Sequence, residues 1–275
     1  MIYEKAYAKL NLALEVGKEQ DGYHQVQNLM IPIDLYDGLF FQKAEADTLE
    51  CDIDIKDNIC LKAVKLFKEK FHIAEGVSIT LNKQIPVMAG LAGGSSDAAA
   101  TLRGLNRLFE VNASYEELYE LACQLGSDVP FFLRIQTAMC TGRGEIITPM
   151  ELDFKNISFL IVKPSFGLST KEVYQNYQFD GSSKQAMIQR LLEAIRSKDF
   201  DEIDSCIFND LESVSLKLSP ELEELYKKIE ALSYIPHISG SGPSIFILNA
   251  KSVDVENIKA IDDTIEVYLC HSIGL

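Results

Sequence analysis

No run of apolar residues in this 275-residue chain approaches eighteen, which excludes a transmembrane helix. The start, Met1-Ile2-Tyr3-Glu4-Lys5, lacks a basic segment followed by an apolar block, so no signal peptide is expected there. The six cysteines, Cys51, Cys60, Cys123, Cys140, Cys206 and Cys270, include no CxxC pair. They read as reduced, mostly buried thiols of a cytoplasmic protein, not as a metal or disulfide framework. His72, His237 and His271 stand apart at no metal-ligand spacing. No 20–50-residue repeat and no low-complexity linker is visible. Positive charge is also short: 26 Lys and Arg face 41 Asp and Glu, a net charge of −15. That balance excludes nonspecific binding to nucleic acid or an anionic membrane and favours solubility. An anionic ligand would need a local positive patch, built from backbone N–H groups and a few lysines.

What is present is an ordinary globular composition, 47% hydrophobic and 24% charged, in a chain long enough for two domains, less readily one. Asp57 or Asn58 is placed to cap a helix through about Phe71, and Val77, Ile79 and Leu81 alternate with polar residues as a half-buried strand does. Ser114 and Glu117 have capping-box spacing for a helix ending near Gly126, and Ser169 with Glu172 repeats it. From about Asn156 a second section begins: an apolar strand from Ile157 to Val162, helical patterns over 183–232 with Ser219-Pro220 at one start, and strands at 245–248 and 265–270. Strands and helices in mixed order, without regular βαβ repetition, predict an α+β protein. The expected domains are residues 1–155 and 156–275.

The densest chemical signal is Pro86-Val87-Met88-Ala89-Gly90-Leu91-Ala92-Gly93-Gly94-Ser95-Ser96, followed by Asp97 and a run of alanines. A Gly-rich loop opening into a helix exposes the unpaired N–H groups and the positive dipole end of that helix. Glycines let a phosphate approach them. No Lys-Ser/Thr follows the last glycine, so this is neither a Walker A loop nor a GxGxxG fingerprint. Alone it fits a nucleotide or phosphate site, or a tight turn with close helix packing. The Ser95 and Ser96 hydroxyls stand where they can cap the helix or touch phosphate.

Two further segments sharpen this: Ala8-Lys9-Leu10-Asn11-Leu12 with Asp21-Gly22-Tyr23-His24 near the start, and Ser239-Gly240-Ser241-Gly242-Pro243 near the end. In this order, with Leu125-Gly126-Ser127-Asp128-Val129-Pro130 between them, the motifs resemble the GHMP kinases over nearly the whole chain. The combination is closest to the branch of that superfamily serving the non-mevalonate route to isoprenoids. The resemblance implies a two-domain fold, an N-terminal ATP-binding α+β domain and a ferredoxin-like C-terminal one, with the active site in the cleft between them. It implies ATP with magnesium, and phosphorylation of a hydroxyl on a small cytidine-diphosphate-linked polyol, in a monomer or homodimer.

By position Asp128 matches the family's catalytic aspartate, suited to aligning the acceptor oxygen and taking its proton, and Lys9 the catalytic lysine, able to orient Asp128 and steady the transferring charge. The resemblance gives Tyr23 and His24 to the cytosine, with an ordinary turn as the alternative, and makes Thr170 and Tyr174 a second substrate wall. Asn11 is read as bonding the polyol. Asn58 either reaches the adenine or serves as an N-cap. Gly240, Ser241 and Gly242 offer N–H groups near the reacting phosphates or form a simple tight turn. No residue is assigned to magnesium. Two positions depart from the family pattern. Ala92 replaces a frequent glycine, predicting a slightly reshaped loop. Asp97 replaces a frequent asparagine, and its charge predicts a carboxylate turned to backbone donors. The rival readings are a GHMP kinase acting on mevalonate, homoserine or a sugar, which have no base for Tyr23 and His24, and a catalytically silent nucleotide-binding regulator, which would not need both Lys9 and Asp128.

Overall fold

The computed structural model describes residues 1–273. The chain opens with a long antiparallel pair, β1 (Ile2–Gln20) and β2 (Tyr23–Ala44), then β3 (Thr48–Cys51), α1 (Ile59–Phe71), β4 (Gly76–Asn82), α2 (Gly93–Leu108) and α3 (Tyr115–Leu125). A 3-10 turn at Pro130–Arg134 leads to β5 (Ala138–Thr141) and β6 (Ile146–Pro149). The rest comprises β7 (Ser158–Lys163), α4 (Thr170–Asn176), α5 (Gln185–Ser197), α6 (Phe200–Cys206), β8 (Phe208–Asn209), α7 (Glu212–Leu218), α8 (Pro220–Ala231), β9 (His237–Ile238), β10 (Ile245–Leu248), α9 (Ser252–Lys259) and β11 (Glu266–His271).

Two sheets result. One runs β3-β4-β2-β1-β8 with β5 and β6 attached at β2; the other is antiparallel, β11-β7-β10-β9. The α+β expectation holds, and the local signals behave as their chemistry requires. Asn58 caps α1, its side chain accepting from Cys60 N, and Ser114 and Glu117 form a reciprocal capping box on α3. Ser219 caps α8 ahead of Pro220.

Packing positions the site. Val64, Phe67, Leu102, Leu105 and Leu121 bury the three N-terminal helices against Leu39, Phe41, Ile79 and Leu81 of the first sheet. Each large side chain so removed from water contributes roughly 1.5–3 kcal/mol. Gly104 lets α2 lie close, since a Cβ there would stand 2.5 Å from the Phe41 ring. A second cluster joins the sheets: Leu10, Leu12 and Ile31 pack with Phe159, Ile161, Leu191 and Phe246. The parallel pairing of β8 with β1, at Ala13 and Leu14, adds a backbone tie between the chain's two halves. Residues far apart in sequence are therefore held rigidly where β1 meets the loop before α2.

Candidate active site

β1 alternates. Ala8, Leu10 and Leu12 are fully buried on one face, which puts Lys9 and Asn11 together on the other. The register against β2 shifts between Asn11 and Ala13, a bulge of the kind that redirects side chains beside functional sites. Lys9 Nζ donates to Asn11 Oδ1 at 2.6 Å and to the Gly90 carbonyl at 2.6 Å, and Asn11 Nδ2 donates to Asn28 Oδ1 at 2.7 Å. Ser239 Oγ reaches the same Gly90 carbonyl at 3.1 Å. Gly90 adopts φ +75°, and a Cβ there would fall 2.1 Å from the Ser239 carbonyl oxygen. The Gly-rich loop and the 239–242 turn thus meet backbone to backbone, and only glycine fits the seam. Lys9 is 3% exposed. Burial lowers its pKa to about 8, with the negative charge of Asp128 opposing that fall.

Above this seam lies a cavity of about 430 Å³, lined by Lys9, Asn11, Asn58, Lys83, Pro86, Val87, Met88, Ala89, Gly90, Ala92, Gly93, Gly94, Ser95, Asp97 and Asp128, with Thr170, Tyr174, Gly240 and Ser241 on its far side. Ala92 caps α2 in the left-handed region, φ 56° and ψ 32°, and no side chain bonds the helix's first N–H groups. Nothing stands within 4 Å of where a Gly94 Cβ would be. The helix end is therefore open in the manner an anion requires. Ala92 is thus an L-residue held where glycine is more comfortable. The N-cap role suggested for Asn58 is observed, its oxygen accepting from Cys60 N at 3.0 Å, and the residue also lines the cavity.

Three expected residues do not line it. Leu91 is buried in the second core cluster and contributes only its carbonyl, which accepts from Lys9 N at 3.2 Å. Ser96 is buried beneath the helix start, its hydroxyl without a partner. Gly242 donates its N–H to the Ser239 carbonyl at 2.9 Å and closes the turn.

A second cavity, about 720 Å³, is lined by Tyr23, His24, Ser127, Arg143, Lys171 and Gln175 among others. Ser95, Asp128, Thr170 and Tyr174 line both cavities. The four stand at the common wall, where a group held on one side can reach a group held on the other. His24 Nδ1 lies 2.9 Å from the Gly17 carbonyl; as only an N–H can bond a carbonyl, Nδ1 carries the proton and Nε2 is an acceptor in neutral histidine. Its ring centroid is 5.8 Å from that of Tyr174 and 5.5 Å from that of Tyr177. Thr170 Oγ1 and Ser241 Oγ are 2.8 Å apart. Burial and the Asp128 charge raise the Tyr174 phenol above its ordinary pKa, so it stays neutral.

Lys9 donates its hydrogen bonds to Asn11 and Gly90, while the Asp128 charge acts on it through space. One expectation is corrected. Asp97 does not turn to backbone donors. Its Oδ2 accepts from Lys83 Nζ at 2.7 Å, while Lys83 also donates to Asp37 at 2.5 Å.

Lys83, Asp37 and Arg143 escape the motif reading. For Lys83 the available signal is a charged Asp97 at a loop that needs positive charge, with Lys83 ending the preceding strand pattern. Arg143, between Gly142 and Gly144, has its guanidinium carbon 4.6 Å from the Tyr23 ring centroid. The contact covers one face of a tyrosine that is 53% exposed.

Comparison with known proteins shows the family. Residues 58–134 match the family model described as GHMP kinases N terminal domain, and residues 191–261 match GHMP kinases C terminal. A 4-diphosphocytidyl-2-C-methyl-D-erythritol kinase of Lachnoclostridium phytofermentans is 45% identical over 258 residues, covering 89% of this chain and 86% of its own. One from Bacillus pumilus is 43% identical over 270 residues, covering 94% and 91%. A crystal structure of 4-(cytidine 5'-diphospho)-2C-methyl-D-erythritol kinase superposes over both full chains with TM-score 0.83 at 30% identity. Homoserine kinase from Cytophaga hutchinsonii, at 18% identity, TM-score 0.72 and coverage of 98% and 94%, shares the fold.

Proposed function

The chain belongs to the 4-diphosphocytidyl-2-C-methyl-D-erythritol kinases, within the GHMP kinases, and from that premise we propose how its residues divide the work. The enzyme is an ATP-dependent kinase that phosphorylates the 2-hydroxyl of 4-diphosphocytidyl-2-C-methyl-D-erythritol, a step of the non-mevalonate route to isoprenoid precursors. The single observation carrying the residue assignment is that Asp128 lies on the wall common to both cavities.

The open N-terminus of α2 and the space over Gly94 suit a polyphosphate on the smaller side. The larger side takes the cytidine diphosphate. Tyr23 and Tyr174 offer aromatic faces to the cytosine, His24 Nε2 an acceptor for its amino group, and Arg143 and Lys171 positive charge for the acceptor's own diphosphate. Asn11 holds the polyol. Asp128 receives the proton of the 2-hydroxyl as its oxygen closes on the γ-phosphorus. Lys9, fixed to the Gly90 carbonyl, adds positive charge where charge accumulates during transfer. Thr170 and Ser241 join the two walls across the cleft. Magnesium, bound with ATP, would supply positive charge to the phosphate oxygens; among the described residues there is no group of three or more His, Cys, Asp or Glu that could hold a metal ion.

The division into residues 1–155 and 156–275 belongs to the same reading, supported by family matches that fall on either side of it. So does a cytoplasmic location, in keeping with the free thiols; no helix among the described residues is long and apolar enough to cross a membrane.

ADP release measured with the cytidyl-methylerythritol acceptor beside mevalonate and homoserine tests the acceptor assignment. Turnover is expected only with the first. Turnover confined to mevalonate or homoserine would overturn the cytidine assignment of Tyr23, His24 and Tyr174.

A further inference from the structure

Beneath the Gly-rich loop sits a buried cluster that the transfer chemistry does not use. Lys83, with its side chain 5% exposed, lies between the carboxylates of Asp37 and Asp97, which are 0% and 3% exposed. The two carboxylates are not equivalent. Asp37 accepts from Lys83 Nζ through Oδ2, and through Oδ1 from the backbone N–H groups of Gln84 at 2.5 Å and Ile85 at 2.8 Å. Those bonds fix the chain just ahead of the loop. Asp97 accepts from Lys83 alone through Oδ2, and its Oδ1 is buried with no partner. A bare carboxylate oxygen in that position costs free energy, and a proton lowers the cost by removing the charge.

With both carboxylates ionised the cluster carries one net negative charge at the edge of the cavity assigned to a polyanion. With Asp97 protonated it is neutral. Lys83 and Asp97 both line that cavity, and a Cβ on Gly93 would stand 3.4 Å from Lys83 Nζ, so the cluster lies directly under the loop. We propose that Asp97 takes up a proton from solvent when the nucleotide's phosphates bind, so that this carboxyl sets the pH dependence of ATP affinity. The inference rests on the ATP reading above.

The surroundings favour it. Burial and the nearby Asp37 raise the Asp97 pKa from its ordinary value, and Lys83 pulls it back only in part. From α1 the Cys60 thiol also faces Asp97; burial pushes it up to about 12, so it stays neutral through the relevant range. Asp52 faces the Lys83 end, binding the Lys83 backbone N–H at 3.1 Å, and Cys51 lies nearby with its own pKa raised by burial. Lys9, Asp128 and Tyr174, the other titratable groups on the cavity wall, are common to any pair of proteins differing only at position 97.

The test compares wild type with Asp97→Asn, in which the amide keeps the shape of the neutral acid. Dissociation constants for a non-hydrolysable ATP analogue are measured from pH 5.5 to 9, with kcat and the KM for ATP alongside. Wild type is expected to match the variant at low pH and to weaken relative to it as pH rises, by about tenfold if the coupling is one pKa unit. The change should fall on KM for ATP and leave kcat at saturation alone, which a merely structural effect would not do. Asp97→Ser, whose hydroxyl can still meet Lys83, serves if the asparagine variant does not fold. Parallel pH curves for wild type and variant overturn the inference and leave the ATP reading intact. Failure of every protein to bind the analogue overturns both.

Discussion

Lys9 Nζ and the Gly90 carbonyl oxygen lie 2.6 Å apart across eighty-one positions of sequence. The lysine proposed to steady the transferring charge is thereby fastened to the loop proposed to receive the phosphates. Because Ser239 binds the same carbonyl, a shift in either loop or turn moves the lysine. On that proposal, binding geometry and catalytic charge form one mechanical unit.

That unit predicts a pH limb. Lys9 is the useful species while charged, and burial brings its pKa down to about 8. Measured for the acceptor at saturating ATP, where the Asp97 effect on ATP affinity drops out, kcat/KM should fall above pH 8, whereas Lys9→Arg, which cannot lose its charge, should lose the limb even at reduced rate. The stability sign is opposite: burying the ammonium carries its full penalty below about pH 8. The penalty fades as pH rises toward the unfolded value near 10.4. A kcat/KM flat to pH 9.5 in wild type contradicts the Lys9 assignment.

Gly90→Ala tests the seam directly. The added methyl would stand 2.1 Å from the Ser239 carbonyl, at φ +75°, and neither backbone can yield without moving the other. A loss of about 2–3 kcal/mol in chemical denaturation is expected, with ATP binding weakened in the folded fraction. Unchanged stability would mean the two loops do not touch.

Ala92→Gly should act the other way. The left-handed conformation, φ 56°, costs an L-residue about 1–2 kcal/mol, part of which glycine returns through its freedom in the unfolded chain. A net gain of about 0.5–1 kcal/mol is expected by thermal unfolding. A loss of stability would show that the alanine methyl matters more for packing than its backbone costs.

Tyr23→Ala separates acceptor recognition from chemistry. Stacking of a base on an aromatic ring contributes about 1–3 kcal/mol, so the KM for the cytidyl acceptor should rise roughly five- to hundredfold with kcat changed little. Arg143 holds one face of this ring and leaves the other for the base. An unchanged KM would remove Tyr23 from the acceptor site.

Much of this was legible in the residues, for reasons that differ by position. Helix starts at Asn58, Ser114 and Ser219 were readable because capping is local chemistry. Lys9, Asp128 and the Gly-rich loop were readable as motifs, and they do share a cavity. Asn11 as a partner of Lys9 follows from the two-residue period of β1, but Gly90 for Lys9 and Lys83 for Asp97 were not readable. Those contacts depend on which groups the fold brings within 3 Å of a buried charge, and no spacing rule encodes that. The parallel β8 pairing was hidden for the same reason: two residues carry no periodicity of their own. Leu91, Ser96 and Gly242 fell on the wrong side of their loops because a motif names a stretch of chain without saying which way each residue faces.

Asp128 as the group that takes the acceptor's proton is the assignment on which the others depend. Single-turnover formation of the 2-phosphate product by Asp128→Asn, with ATP affinity measured separately, tests it. A rate lower by about 10²–10⁴-fold is expected, the range for a lost general base, with ATP affinity little changed. Transfer at the wild-type rate in that variant would contradict it.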